Sequence, residues 1–134
     1  MDESWPGSLA GADAALLEAE LASSAADRYQ QAQVAALRVA AVVLAVRARP
    51  RRSSRPRPVW QVLAEAAPEY SEWAGFFAAT HLKQQAVAAG ATAIVSAREA
   101  DDLYRDACCF RDQVAGWLSR RRHLAQSGLR ADGA

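Results

Sequence analysis

The segment that most constrains this chain is DRYQQAQVAALRVAAVVLAVRARP, residues 27–50, a helical run rich in alanine and valine that ends abruptly in arginine and proline. Its later half, VAAVVLAV, is apolar nearly all round, so a helix built from it must be covered on every side and belongs at the centre of a helical protein. The longest unbroken apolar run, Val39 to Val46, is less than half of the roughly 20 residues that cross a bilayer as a helix. The reading is therefore a buried helix and no membrane anchor. A capping pattern, Ser24 followed by Asp27, marks its start, since the serine oxygen accepts a backbone N–H from three residues on. Pro50 disfavours helical geometry in the residue before it and sets the end near Arg49.

The surroundings read as helices too. Leu9, Leu16, Leu17 and Leu21 share one expected face of a first amphipathic helix over Ser8 to Leu21. Pro58 and Pro68 suit first-turn positions, where a missing N–H costs nothing. The first opens a short helix with Val59, Trp60 and Leu63, and the second a longer one with Tyr70, Trp73, Ala74 and Phe77. Gly90 is the expected terminator, followed by a connector over Ala91 to Val95. Ser96 and Glu99 form the clearest capping box of the chain, ahead of a stripe of Leu103, Ala107, Phe110, Val114 and Trp117. Asp101 and Arg105 are placed as an i,i+4 pair on another face. Alanine is the best helix former, and half of the 134 residues are apolar with alanine and leucine dominant. The fold class is all-α: a bundle of four main helices and one short one, a single domain over residues 8–123. Residues 1–7 are expected to form a flexible N-terminus, 50–57 an Arg/Pro loop, and 124–134 a flexible tail.

Charge is distributed unevenly beneath a net charge of +1. Met1 to Asp27 holds acids and no Lys or Arg, whereas RARPRRSSRPR holds Arg47, Arg49, Arg51, Arg52, Arg55 and Arg57 with no acid. Six arginines in a short loop can neutralise phosphates and hold RNA or DNA without sequence preference; the alternative is a solvated connector. Arg120, Arg121, Arg122 and His123 either extend that basic surface or complement the dipole at a helix end. The acidic start lacks the basic residues and apolar core of a signal peptide, which places the protein in the cytoplasm. Cys108 and Cys109 are adjacent and cannot bridge each other on a helix, so both read as reduced and structural. His81 continues the Tyr70, Trp73 and Phe77 face and reads as a core or rim residue rather than a base. No spacing of cysteine and histidine calls for a metal, and nothing calls for a cofactor. Trp5 is a possible docking residue.

Three blocks, DRYQQAQVAALRVAAVVLAVRARP, RPRPVWQVLAEAAPEYSEWAGFFAA and SAREADDLYRDACCFRDQVAGWL, taken in order over Asp27 to Leu118, resemble the HEPN superfamily (higher eukaryotes and prokaryotes nucleotide-binding), in particular a small actinobacterial HEPN-like family named after a Streptomyces locus. The resemblance implies an all-α bundle, often paired with a second copy. Active members are metal-independent ribonucleases that use an arginine, a polar residue and, a few positions on, a histidine. The arginine holds a phosphate and the histidine moves a proton from the attacking ribose hydroxyl. Here Arg105-Asp106 is followed by Phe110 where the nearest histidine would fall, and Arg28 is followed by Gln33, which cannot titrate. The resemblance therefore implies a non-catalytic module that binds RNA or a nucleotide, with Arg28 and Arg105 as candidates for positioning phosphate. Structural ion pairs of those two arginines with Asp27, Asp101 or Asp102 are the alternative. A second function class, a structural or adaptor homodimer that recruits a protein partner, fits the same helices without any nucleic acid.

Overall fold

The computed structural model describes residues 7–47, 57–90 and 94–133, with side chains through Gly128 in the last segment. Among them the chain forms α1 (Ala10–Leu21), α2 (Ala25–Arg47), α3 (Val59–Ala66), a single 3-10 turn (Pro68–Tyr70), α4 (Ser71–Ala88) and α5 (Ala97–Gly133), and no strand. This is the all-α bundle that the apolar periodicity predicts. Trp5, Arg49, Arg51, Arg52 and Arg55, together with most of the expected N-terminal segment and Arg/Pro loop, lie outside the described residues.

α2 is the hub. It packs against all four other α-helices, and Ala32, Ala35, Ala36, Val39, Ala40 and Val43 are fully buried. By length and hydropathy it could cross a membrane, but half of its most apolar window is buried inside the bundle. Its apolarity is satisfied by the neighbouring helices. The small side chains along it let α1 and α5 approach closely, while the larger volumes lie at the α3–α4–α5 side. There Phe110 has the rings of Trp60, Tyr70, Trp73 and Phe77 around it at centroid distances of 5.5–6.3 Å. Tilted and edge-on arrangements of this kind add to the burial of large apolar area.

Local chemistry sets the helix ends. The Asp27 amide donates to Ser24 Oγ at 3.1 Å, opening α2. At the start of α5 the capping box is complete: the Glu99 amide donates to Ser96 Oγ and the Ser96 amide to Glu99 Oε1, each at 3.1 Å. Pro68 stands in the first turn of the 3-10 helix. Gly90, with φ of +100°, closes α4 in the left-handed region that only glycine adopts freely, its amide donating to the Val87 carbonyl.

Four expectations need correction. The buried face of α1 is Leu9, Ala12, Ala15, Leu16 and Ala19, whereas Leu17 and Leu21 are exposed; α1 meets α2 through alanines because α2 presents alanines in return. His81 is exposed, because the inward face of α4 runs through Phe77 and Val87 rather than through position 81. Asp101 does not pair with Arg105: Asp101 goes to Arg28 across the helices, and Arg105 takes Asp102 at i−3 instead. Finally α5 does not end near His123 but continues to Gly133, with Ser119 to Gly128 exposed.

Candidate nucleic-acid interface

The two arginines singled out as phosphate-positioning candidates stand in different situations. Arg28 has four of its guanidinium N–H groups engaged. Nε donates to the Ala19 carbonyl at 3.0 Å, one terminal nitrogen to the Glu20 and Ala22 carbonyls at 3.4 and 3.3 Å, and the other to Asp101 at 2.8 Å. A guanidinium offers five such donors. Arg28 thus caps the last carbonyls of α1 and ties that end to α5, and of its two readings the geometry supports the structural one. Arg105 is exposed on α5 with Asp102 3.2 Å away. It stands 15 residues, roughly 22 Å along the helix, from Arg120.

The near misses of the ribonuclease motif are accounted for by packing. Gln33 is buried; its amide nitrogen donates to the Phe77 carbonyl at 3.1 Å, and its oxygen accepts from the Thr80 hydroxyl at 2.8 Å. The Tyr29 hydroxyl donates to the Thr80 carbonyl alongside. This network locks the register of α4 against α2 and leaves Gln33 with no open ligand face. Phe110, at the other position, is fully buried. Asp106, which follows Arg105, has its carboxyl pushed above the ordinary value by burial, with Asp102 adding to the shift and Arg105 opposing it. Among the described residues no three of His, Cys, Asp and Glu are grouped as a metal ion would need.

Of the six loop arginines, the two described ones frame the loop. Arg57, entering α3, pairs with Glu65. Arg47, at the end of α2, donates from one nitrogen to both oxygens of Glu69 at 2.7 Å, and its guanidinium lies 4.8 Å from the centre of the Trp117 ring. That arginine holds the Glu69 carboxyl below its ordinary range. Arg121 approaches the same indole at 5.9 Å. Trp117 is therefore the point where the root of the arginine loop meets the basic turn Arg120 to His123 of α5. Guanidinium groups over an indole face are attracted by its quadrupole, which holds the cations together despite their mutual repulsion.

Among the described residues, two of the grooves lie against α5. One, of about 300 Å³ beside α1, is lined by Leu17, Glu20, Tyr104 and Cys108. Its arginine is occupied: Arg111 binds both oxygens of Asp13 at 2.8 and 3.1 Å and reaches Asp112 at 3.3 Å, which raises its pKa further. Burial pushes the Cys108 thiol up as well, so it is a poor nucleophile. The other groove, of about 400 Å³, lies between the 3-10 turn and α5 and includes Tyr70, Gln113, Gly116, Trp117 and Arg120. Burial raises the Tyr70 phenol, Glu69 adding to the shift and Arg47 and Arg120 opposing it. Sequence reading placed Trp117 in the core stripe and gave Gly116 no role; neither carries a local signal, because the groove exists only once the 3-10 turn packs across α5.

No curated protein and no solved structure matches this chain significantly. The model of the SAV_6107-like HEPN family matches residues 19–115, which spans α2, α3, α4 and the first half of α5, and the chain belongs to that HEPN family.

Proposed function

We propose that the chain is a non-catalytic HEPN module that binds single-stranded RNA through a basic surface made of the arginine loop and the Arg120–His123 turn of α5. The observation that carries this reading is the convergence of Arg47 and Arg121 on Trp117, which brings the end of α2, where the arginine loop begins, to the basic turn of α5. An aromatic ring set among arginines suits a single strand, whose phosphates meet the cations and whose bases have faces to stack. The absence of catalysis rests on Gln33 and Phe110, which fill the positions where a proton-transferring histidine would stand. Arg49, Arg51, Arg52 and Arg55 add phosphate contacts from the loop.

The test is fluorescence anisotropy of a labelled single-stranded RNA at low and physiological salt, beside a variant with Arg51, Arg52, Arg55 and Arg57 changed to serine. Each phosphate neutralised on a single strand adds about 0.7 to the slope of log affinity against log salt. Steep weakening with salt, lost in the variant, is the expected result; no binding at low salt rejects the reading.

A second reading, a homodimeric adaptor, draws on α4. Gly75, Ala78, Ala79 and Leu82 form an exposed i, i+3, i+4, i+7 stripe with Phe76 beside it, and no charged residue lies between Glu72 and Lys83. A second copy of the chain fits such a face. Leu82→Glu converting a dimer to a monomer in light scattering supports it, and a monomeric wild-type chain removes it.

A further inference from the structure

Two exposed surfaces of the molecule match each other in shape and charge. The first is the outer face of α1. Ala10, Ala14, Leu17 and Leu21 stand at i, i+4, i+7 and i+11, which places them in one stripe along the helix. Leu17 and Leu21 are 52% and 71% exposed. Asp13 and Glu20 border the stripe on the side of the groove that Tyr104 and Cys108 also line, and Glu18 borders it on the other. Arg111 takes up Asp13 and Asp112, while Arg28 and Arg105 answer Asp101 and Asp102. Arg38, which donates to the Gly11 carbonyl, adds a second cation beside α1. Asp13, Glu18, Glu20 and Asp112 thus stand against Arg38 and Arg111, and the face is left acidic. Most of α1 precedes the residues that the family model matches.

The second surface is the far end of α5. Past Leu118 the helix continues to Gly133, roughly 22 Å, and Ser119 to Gly128 are all exposed. Helices in proteins draw most of their stability from packing an apolar face, and this stretch buries none of its residues within its own chain. Leu124, 70% exposed, follows Arg120 by four residues and Arg121 by three, so a leucine and two guanidiniums share one face. Between Ser119 and Gly128 there is no acid. Glu69 and Asp112, at the groove that Arg120 lines, are engaged by Arg47 and Arg111. The tail has no access to α1 of its own chain. That helix packs beside the stretch from Asp101 to Asp112, and a continuous α5 cannot turn its end back onto it.

We propose that the α5 tail of a second copy of the chain docks on the outer face of α1, with Leu124 against Leu17 and Leu21 and with Arg120 and Arg121 against Glu18 and Glu20. The charges are opposite, and α1, 12 residues or roughly 18 Å long, matches the tail in length. Exchange of tails between two copies closes a pair with two such contacts. The contact is separate from the α4 stripe and requires no nucleic acid. It covers the turn to which the RNA reading assigns phosphate contacts, so RNA and a second copy compete for that turn.

The test is analytical ultracentrifugation of the full chain without RNA, as wild type, as Glu18→Arg/Glu20→Arg, as Arg120→Glu/Arg121→Glu, and as an equimolar mixture of those two variants. Wild type is expected to associate as concentration rises, and less so as salt goes from about 0.05 M to about 0.5 M and screens exposed charge. Each reversed variant carries like charge on both surfaces and is expected to stay monomeric, with helix content unchanged in circular dichroism. The mixture restores opposite charge at both contacts and is expected to associate again. Leu124→Glu, at an exposed position, is expected to weaken association without changing the melting temperature. A wild-type chain that is monomeric at millimolar concentration, reversed variants that associate as wild type does, or a mixture of folded variants that stays monomeric overturns the proposal. Association lost in Leu82→Glu and kept in both reversed variants overturns it in favour of the α4 face. RNA binding is judged separately by anisotropy, so the failure of either reading leaves the other standing.

Discussion

The two ends of α5 treat arginine in opposite ways. At the end near Asp101, Arg28 is drawn into the fold, its guanidinium engaged by three backbone carbonyls of the α1 terminus and one carboxylate. At the other end, about 28 Å along the helix, Arg47 and Arg121 gather around Trp117, and Arg120 stands at a groove that Glu69 and Asp112 also line. The difference teaches that the number of arginines in a region says little about binding. What counts is how many of their donors the protein itself leaves open, and whether the surrounding acids are already paired. A guanidinium with four satisfied donors is a structural cap; one with donors to spare can still take up an anion.

The largest expected effect falls on what the two ends share, the aromatic core. Phe110→Ala removes the ring at the centre of the Trp60, Tyr70, Trp73 and Phe77 cluster and should cost about 3–5 kcal/mol in chemical denaturation, because a fully buried ring leaves a cavity that rigid neighbours cannot fill. Arg28→Ala should come next, lowering stability by about 1–3 kcal/mol through carbonyls left without donors, while RNA affinity stays unchanged. The matching change at the other end, Arg120→Ala, should do the reverse: weaker RNA binding and an unchanged melting temperature. If Arg28→Ala weakened RNA binding without any loss of stability, the comparison would break.

Alkaline pH sharpens it further. Burial raises the pKa values of Tyr29, Tyr70, Tyr104 and Cys108, so the native state keeps protons that the unfolded chain releases. That stability is fully present below the unfolded values and is lost as pH rises beyond about 8.5 for the thiol and about 10 for the phenols. Melting temperatures should fall over that range. On the acid side Glu69 is lowered first of all by its hydrogen bond from Arg47, and Glu99 by that from Lys83. Their contribution is present above the ordinary carboxylate value and is lost as pH falls through the lower folded values. Glu69 is exposed and Glu99 partly so, and solvent screens both pairs, so the acid effect should be the smaller. The smallest effect is chemical. A thiol reagent should modify exposed Cys109 quickly and half-buried Cys108 slowly, giving two phases in the native protein and one after denaturation.

Much of the fold was legible in the sequence for local reasons. The Ser24 and Ser96 caps, the prolines at the starts of α3 and the 3-10 turn, and the Gly90 stop are all carried by one or two residues whose chemistry acts within a turn. The Leu103 to Val114 stripe and the all-round apolarity of α2 set the core in the same way. The reading erred where packing partners decide. Leu17 and Leu21 share a helical face with Leu16 only approximately, and alanines took the interface because α2 offered alanines opposite. Asp101 chose Arg28 on another helix over Arg105 on its own. Of the candidate site, charge was the legible part: the loop and the Arg120 turn could each be read as basic, but the meeting of Arg47 and Arg121 at Trp117 arises from tertiary placement and leaves no mark in any short window.

The most direct test of the account is to crosslink a 4-thiouridine-containing single-stranded RNA to the full chain with near-ultraviolet light and map the attached peptides by mass spectrometry. The account predicts adducts in the arginine loop and on the α5 peptide that carries Trp117 and Arg120, with none in α1 or around Arg28. Adducts concentrated at the Arg28 end, or on the exposed stripe of α4, would contradict it.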